Sequence, residues 1–178
     1  PIKALCGGEA MPADLAKELL TKCDTLWNVY GPTETTIWSS LKQIKSDKKL
    51  ITIGKPIGNT QIYIINEQGN LVAPGNIGEI VIGGDGVAKG YWNRPELTAE
   101  KFIKNRFSTK EDVIYRTGDL GKLLSDNEIE CLGRVDQQVK IRGHRIEPGE
   151  VEQALLALEG IKSAVVLANE NFLVAHIV

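Results

Sequence analysis

The hydrophobic period of this chain changes twice along its length, so no single type of layer can account for all of it. Residues 1–49 read strand, helix, strand. "IKALCGG" is a short apolar strand, and "MPADLAKELLTKC" carries Leu15, Leu19 and Leu20 at helical spacing behind Pro12 and Asp14. "TLWNVYG" then returns to strand. Such an order is the end of a wound α/β subdomain.

From about residue 50 the period drops to two. "QIYIINEQGNLV" alternates, turns at Gln68, Gly69 and Asn70, and resumes; "GEIVIGG" is a further strand. "GYWNRPELTAEKF" breaks at Pro95, and Thr98 is the expected cap of a short helix. "IYRTGDLGKLLSDNEIECLGR" predicts two strands around a Ser-Asp-Asn turn. Residues 50–135 are therefore expected to form a mostly antiparallel, β-barrel-like subdomain that completes a large core spanning 1–135. Past "GRVDQQ" the pattern changes again, into the start of a small α+β domain over 136–178. A basic strand, "VKIRGHRIE", precedes a helix opened by Pro148. Val151, Ala154, Leu155 and Leu158 would line that helix and Gly160 would close it, before strands at 162–168 and 172–178.

Charge and cysteine content exclude several function classes. A net charge of -2 with scattered cations gives no electrostatic reason to expect nucleic acid or an anionic membrane as partner. The nearest thing to a charge run, "KSDKKL" at 45–50, reads as a solvated loop. Cys6, Cys23 and Cys131 are too few and too widely spaced for a zinc knuckle, and suit a reducing cytoplasm. No apolar run reaches membrane-spanning length. The chain begins at Pro1 in a strand and ends in another, "FLVAHIV", so both ends read as cut from something larger.

The densest chemistry lies in "NVYGPTETTIW" at 28–38. Tyr30 offers an aromatic face for a flat ring. Thr33 and its neighbours offer hydroxyls to phosphate oxygens, and Glu34 is a hard carboxylate of the kind magnesium takes. Taken alone, the stretch is equally a hydroxyl-rich capped turn. "YRTGDL" adds Asp119, whose two acceptor oxygens match a ribose diol, although Gly-Asp is also a plain turn. "GRVDQQVKIRGHRIE" gathers Arg134, Lys140, Arg142 and Arg145, a set of anion binders or a solvated face. Together the three stretches describe a nucleoside triphosphate site without a Walker-type Gly-Lys-Ser/Thr loop.

In order and spacing, "NVYGPTETT", "GEIVIGGDGVAKGYWNRPELTAEKF", "YRTGDL" and "GRVDQQVKIRGHRIEPGEVE" closely resemble core motifs of the adenylation domains of non-ribosomal peptide synthetases. These domains belong to the adenylate-forming superfamily. The resemblance implies activation of an amino acid with ATP and Mg2+, then transfer to a phosphopantetheine thiol on a carrier domain. By motif, Asn28 and Tyr30 would hold the adenine beside Gly31, with the backbone of Gly8, Glu9 and Ala10 against its other side. Thr33 would contact phosphate, Glu34 would hold magnesium, Asp119 would take the ribose hydroxyls and Arg134 would bind ribose or phosphate oxygens. Asp136 matches the hinge of the small domain, and Lys140, Arg142, Gly143 and Arg145 match the loop that lines the thiolation tunnel.

Five positions match the family's substrate pocket: Leu5, Gly7, Val29, Ile37 and Trp38. None is charged, and a tryptophan would fill much of the volume, which favours a small side chain, glycine first. The alternative is a Trp38 turned into the core. The implied partners are the amino acid, a peptidyl carrier domain and neighbouring synthetase domains, with room for a small helper protein. The family's phosphate loop and substrate-amine Asp would lie upstream, and its catalytic lysine downstream, so the chain alone is not expected to complete adenylation. Two other readings stay open: another ligase of the superfamily, such as a D-alanine–carrier-protein ligase or an aryl or fatty acyl activator, and a binding module without catalysis.

Overall fold

The computed structural model describes residues 1–45, 50–109, 112–169 and 172–178, so most of the stretch expected to be a solvated loop at 45–50 lies outside the described residues. The backbone separates into two compact units, Pro1–Val135 and Asp136–Val178.

In the first unit, β1 (Lys3–Cys6) leads through α1 (Ala13–Leu20) to a parallel neighbour, β2 (Thr25–Tyr30), which completes a β-α-β crossover. Pro12 stands just before the helix, where its missing N–H costs nothing, and Asp14 complements the positive end. Ala16 of α1 is buried against Leu26 and Ile44, with Leu19, Leu20, Cys6 and Cys23 packed around them. After a single 3-10 turn at Thr33–Thr35, β3 (Ser40–Ile44) pairs antiparallel with β2. The short β4 (Lys55–Pro56) closes the sheet order β1-β2-β3-β4. The expected break at residue 49/50 is therefore not where the sheets divide, because β4 still belongs to the first sheet.

A second, strongly curled antiparallel sheet follows, in the order β5-β6-β8-β7 with β9 also on β8. Its strands are β5 (Thr60–Ile65), β6 (Gly78–Gly84), β7 (Phe102–Lys104), β8 (Val113–Leu123) and β9 (Ile129–Arg134). The pattern after Gly69 does not resume as a strand; a lone Ile65–Leu71 bridge is all that forms before Pro74 removes a donor. The central strand β6 is apolar on both faces and is buried on both. Ile80 and Ile82 join Ile53, Ile64 and Ile129 on one side. Val81 joins Ile65 and Ile114 on the other. Ile53, ahead of β4, belongs to the cluster around Ile80, and Tyr30 of β2 packs against it, while the first sheet also keeps its own cluster of Ala16, Leu26 and Ile44.

Helix α2 (Pro95–Lys101) corrects one expectation: Arg94, not Thr98, is its N-cap. Thr98 lies inside the helix, donating to the Arg94 carbonyl at 2.8 Å and accepting from the Tyr91 N–H at 2.9 Å. Its hydroxyl ties the loop ahead of the helix rather than the helix end.

The second unit holds β10 (Val139–Ile141), β11 (His144–Ile146), α3 (Pro148–Leu156), β12 (Ala164–Asn169) and β13 (Phe172–Ile177). The expected basic strand is instead a hairpin, because Arg142 and Gly143 both take positive φ (53° and 77°), as a two-residue hairpin loop requires. Helix α3 ends at Leu156, with Ala157 as its cap. Gly160, at φ 93°, turns the chain toward β12 rather than closing the helix, and Leu158 lies beyond its end. β12 and β13 pair antiparallel, Val166 of β12 is buried, and β12 packs against α3.

Two substitutions test this packing. Ile80→Ala removes a side chain buried in the isoleucine cluster and is expected to cost about 3–4 kcal/mol. At Gly54 (φ 78°) an added Cβ would lie 2.0 Å from the Leu41 carbonyl oxygen. Gly54→Ala should therefore cost roughly 3 kcal/mol in urea denaturation. Gly58→Ala, where a Cβ meets nothing within 4 Å, should be close to neutral.

Candidate functional site

Three motifs that are remote in sequence meet at the carboxylate of Asp119. Asp119 lies on β8 directly opposite Arg134 of β9, and Arg134 Nη1 donates to its Oδ1 at 2.7 Å. From the end of β2, Tyr30 Oη donates to its Oδ2 at 2.6 Å. Asp119 is buried, so this ion pair sits where screening by solvent is weak. Burial, reinforced by the neighbouring Asp119 charge and hydrogen bond, holds the Tyr30 phenol well above its ordinary titration range. Neither oxygen is saturated: a carboxylate has about four acceptor positions, so roughly two remain for a diol.

The backbone around Asp119 is built to present it. Gly118 sits at φ 73°, within the stretch where the β6–β8 register shifts. Glu79 fills this irregularity: its Oε1 accepts from the Gly118 N–H at 3.1 Å and its Oε2 from Arg116 Nε at 3.0 Å. Thr117 Oγ1 donates to the Ile80 carbonyl at 2.7 Å and accepts from the Asp119 N–H at 2.9 Å. Glu79 and Thr117 escaped the sequence reading, although the quoted motifs contain both; their alternation along a strand gave no sign of a bulge.

The turn after β2 carries Thr33, exposed, and Glu34, buried. Gly31 is required at its entry, since a Cβ there would stand 2.5 Å from the Ile37 carbonyl oxygen. Thr35 and Ser39 hydroxyls bond across the turn at 2.6 Å. Behind it, Thr36 and Ile37 both hold positive φ (61° and 70°), a strained pairing for β-branched residues of the kind found at binding sites. Tyr91 Oη donates to Glu34 Oε1 at 2.6 Å. Tyr91 is the third residue that sequence reasoning missed, hidden in a motif valued only for its resemblance.

Among the described residues no group of three or more His, Cys, Asp or Glu could cage a metal. One hard carboxylate with hydroxyl neighbours does fit magnesium, which takes few protein ligands and fills its shell with water and substrate phosphates.

The other expected site residues fall as follows. Asn28 is buried, with Nδ2 donating 2.8 Å to the Thr52 carbonyl, so that its amide already serves the core. Gly8, Glu9 and Ala10 form the exposed bend between β1 and α1. Leu5 and Gly7 alternate along β1 and just past it, and a Cβ on Gly7 would meet the Val29 carbonyl oxygen at 2.4 Å. Val29 is buried, whereas Ile37 and Trp38 are 65% and 48% exposed, so Trp38 is not a core residue of this chain. In the second unit, Asp136 Oδ1 accepts from the Gln138 N–H at 3.2 Å. Lys140 lies opposite Arg145 across the β10–β11 hairpin, with Arg142 and Gly143 at its tip.

Residues 2–92 match the family model described as AMP-binding enzyme. The chain belongs to that family. Over 94% of its length it is 52% identical to tyrocidine synthase 1 of Brevibacillus parabrevis, of which it covers 15%. Its fold is similar to a four-domain nonribosomal peptide synthetase solved with AMP and glycine, at 49% identity and TM-score 0.72, covering 99% of this chain and 14% of that one. It is also similar to a peptide-synthetase protein containing adenylation and carrier domains, at 29% identity and TM-score 0.90, covering 99% of this chain and 32% of that one. The chain thus spans a minor part of the proteins it matches. Among its described residues no helix is long and apolar enough to cross a membrane.

Tyr30 gives a pH test. Unfolding frees its phenol to ionise at about pH 10, whereas folding keeps it protonated to higher pH. Its contribution to stability is thus complete below about pH 10 and is lost as pH climbs through the raised folded value. Denaturation midpoints measured from about pH 8 to about pH 11 should fall more steeply for wild type than for Tyr30→Phe.

Proposed function

We propose that this chain is the C-terminal half of an amino-acid-activating adenylation domain. In this reading 1–135 completes the large core and 136–178 begins a small mobile domain that turns about Asp136. The reaction converts ATP and an amino acid to aminoacyl adenylate and pyrophosphate, then passes the acyl group to the phosphopantetheine thiol of a carrier domain. The observation that carries it is the meeting of Tyr30, Asp119 and Arg134 at one buried carboxylate, in a chain of the AMP-binding family.

Each role follows from the chemistry of the side chain. Asp119 accepts the ribose hydroxyls on its remaining lone pairs, while Arg134 neutralises it and offers further N–H donors to ribose or phosphate oxygens. Tyr30, fixed through its hydroxyl, and Asn28 back the adenine, with Gly8–Ala10 opposite. The exposed Thr33 hydroxyl donates to phosphate. Glu34 would hold Mg2+, which when bound offsets the negative charge on phosphate oxygens. Lys140, Arg142, Gly143 and Arg145 belong to the tunnel for the carrier arm.

A small substrate, glycine first, fits the pocket positions. Gly7 has no room for a side chain beside Val29, and Leu5, Ile37 and Trp38 present apolar surface with no charge to recognise a polar side chain. The similar synthetase solved with AMP and glycine supports the same choice.

The test is substrate-dependent ATP–pyrophosphate exchange by the intact protein, over glycine, alanine, cysteine and aryl or fatty acids. Exchange should peak at glycine and fall about a hundredfold in Glu34→Ala. A peak at a fatty or aryl acid would overturn the amino-acid assignment. Silence from well-folded protein with every acid would leave a binding module.

A further inference from the structure

Glu34 does not set its own orientation. It sits in a single 3-10 turn that has no extended element to hold it, yet its side chain is buried. What fixes the turn is the segment after β6. The Ala88 N–H donates to the Glu34 carbonyl at 2.8 Å, and Thr36 Oγ1 donates to the Gly86 carbonyl at 2.7 Å. A third link is made by Tyr91, whose Oη donates to Glu34 Oε1 at 2.6 Å, within the roughly 2.5–2.7 Å of a charge-assisted O–H···O bond.

Tyr91 is itself held on every side that matters for its hydroxyl. Its N–H donates to Thr98 Oγ1 of α2 at 2.9 Å. Its ring stands edge-on to Phe102 of β7, with centroids 5.4 Å apart, and Phe102 in turn packs against Tyr115 at 5.1 Å. Gly90, at φ 136°, lets the loop pass so close that a Cβ would lie 2.3 Å from the Thr98 methyl. Two packed elements thus determine where the phenol points, and the phenol determines where one Glu34 oxygen points.

We propose that Tyr91 is a positioning residue for the divalent-cation site, acting through Glu34. Its hydroxyl fixes the carboxylate so that the cation meets a ligand already oriented, rather than one that must be ordered on binding. The inference rests on Glu34 being the magnesium carboxylate. Partners that orient a ligating group commonly alter metal affinity by about 10–100-fold. A purely structural tie between loop and turn would alter stability and leave cation affinity alone.

The experiment uses Mn2+ as a spectroscopically visible cation, titrated by electron paramagnetic resonance into the intact protein saturated with a non-hydrolysable ATP analogue. Tyr91→Phe, Glu34→Gln and the double variant are compared with wild type, each after its melting temperature is recorded. Tyr91→Phe should weaken Mn2+ binding about tenfold, and Glu34→Gln by at least as much. Adding Tyr91→Phe to Glu34→Gln should change nothing further. Wild-type Mn2+ affinity in Tyr91→Phe, with binding lost in Glu34→Gln, overturns the positioning role and leaves the Glu34 reading standing. Losses that multiply in the double variant also overturn it, even if Tyr91→Phe is less stable. Wild-type affinity in Glu34→Gln removes Glu34 as the cation ligand, and the inference with it.

Discussion

A buried carboxylate with two donors organises the first unit of this protein. An aspartate at the position of Asp119 would be costly without partners, since desolvation of a charge is repaid only by well-aligned opposite charge and hydrogen bonds. Arg134 and Tyr30 supply both, one from the adjacent strand and one from the other sheet. The pairing therefore needs β2, β8 and β9 in their places at once. In return it ties the end of the wound sheet to the curled one. The isoleucine cluster around Ile80, against which Tyr30 packs, backs that junction.

The surroundings of Asp119 and Glu34 follow one design. In each case a ligand-type carboxylate sits on irregular backbone, and a second polar side chain from a neighbouring element fixes it. Glu79 and Thr117 hold the bulge that presents Asp119. Tyr91 holds the turn that presents Glu34. Irregular backbone frees a side chain from the alternation of a strand, but leaves N–H groups and rotamers that something else must fix. Strain at Thr36 and Ile37 is tolerated because contacts on both sides over-determine the turn.

Local signals in the sequence were reliable where a single residue decides the backbone. Pro148, read as the start of a helix, opens α3. They were less reliable where two readings share one residue type. Thr98 suits a cap but serves as a tie for Tyr91, because Arg94 already stands before Pro95. Gly160 suits a helix end but turns the chain beyond one. The basic run at 139–146 reads as one strand, and becomes two only because Arg142 joins Gly143 in the left-handed region, a choice the composition of the run does not announce. Asn28 reads as a ligand group by its motif, and the Thr52 carbonyl that holds its amide is a partner no spacing rule places beside it.

By itself the sequence determined the classes of element, through its periods of hydrophobicity. It also determined the candidate ligands Thr33, Glu34, Asp119 and Arg134, because hard oxygens and a guanidinium are chemical facts of the residues. Family membership was legible for the same reason, since long ordered motifs carry it without geometry. Only the tertiary structure decided which groups meet. Tyr30 lies 89 positions from Asp119, and Tyr91 lies 57 from Glu34. No local pattern encodes either distance. Contacts of that range are set by sheet order and by which side chains pack between the strands, and those are properties of the folded chain as a whole.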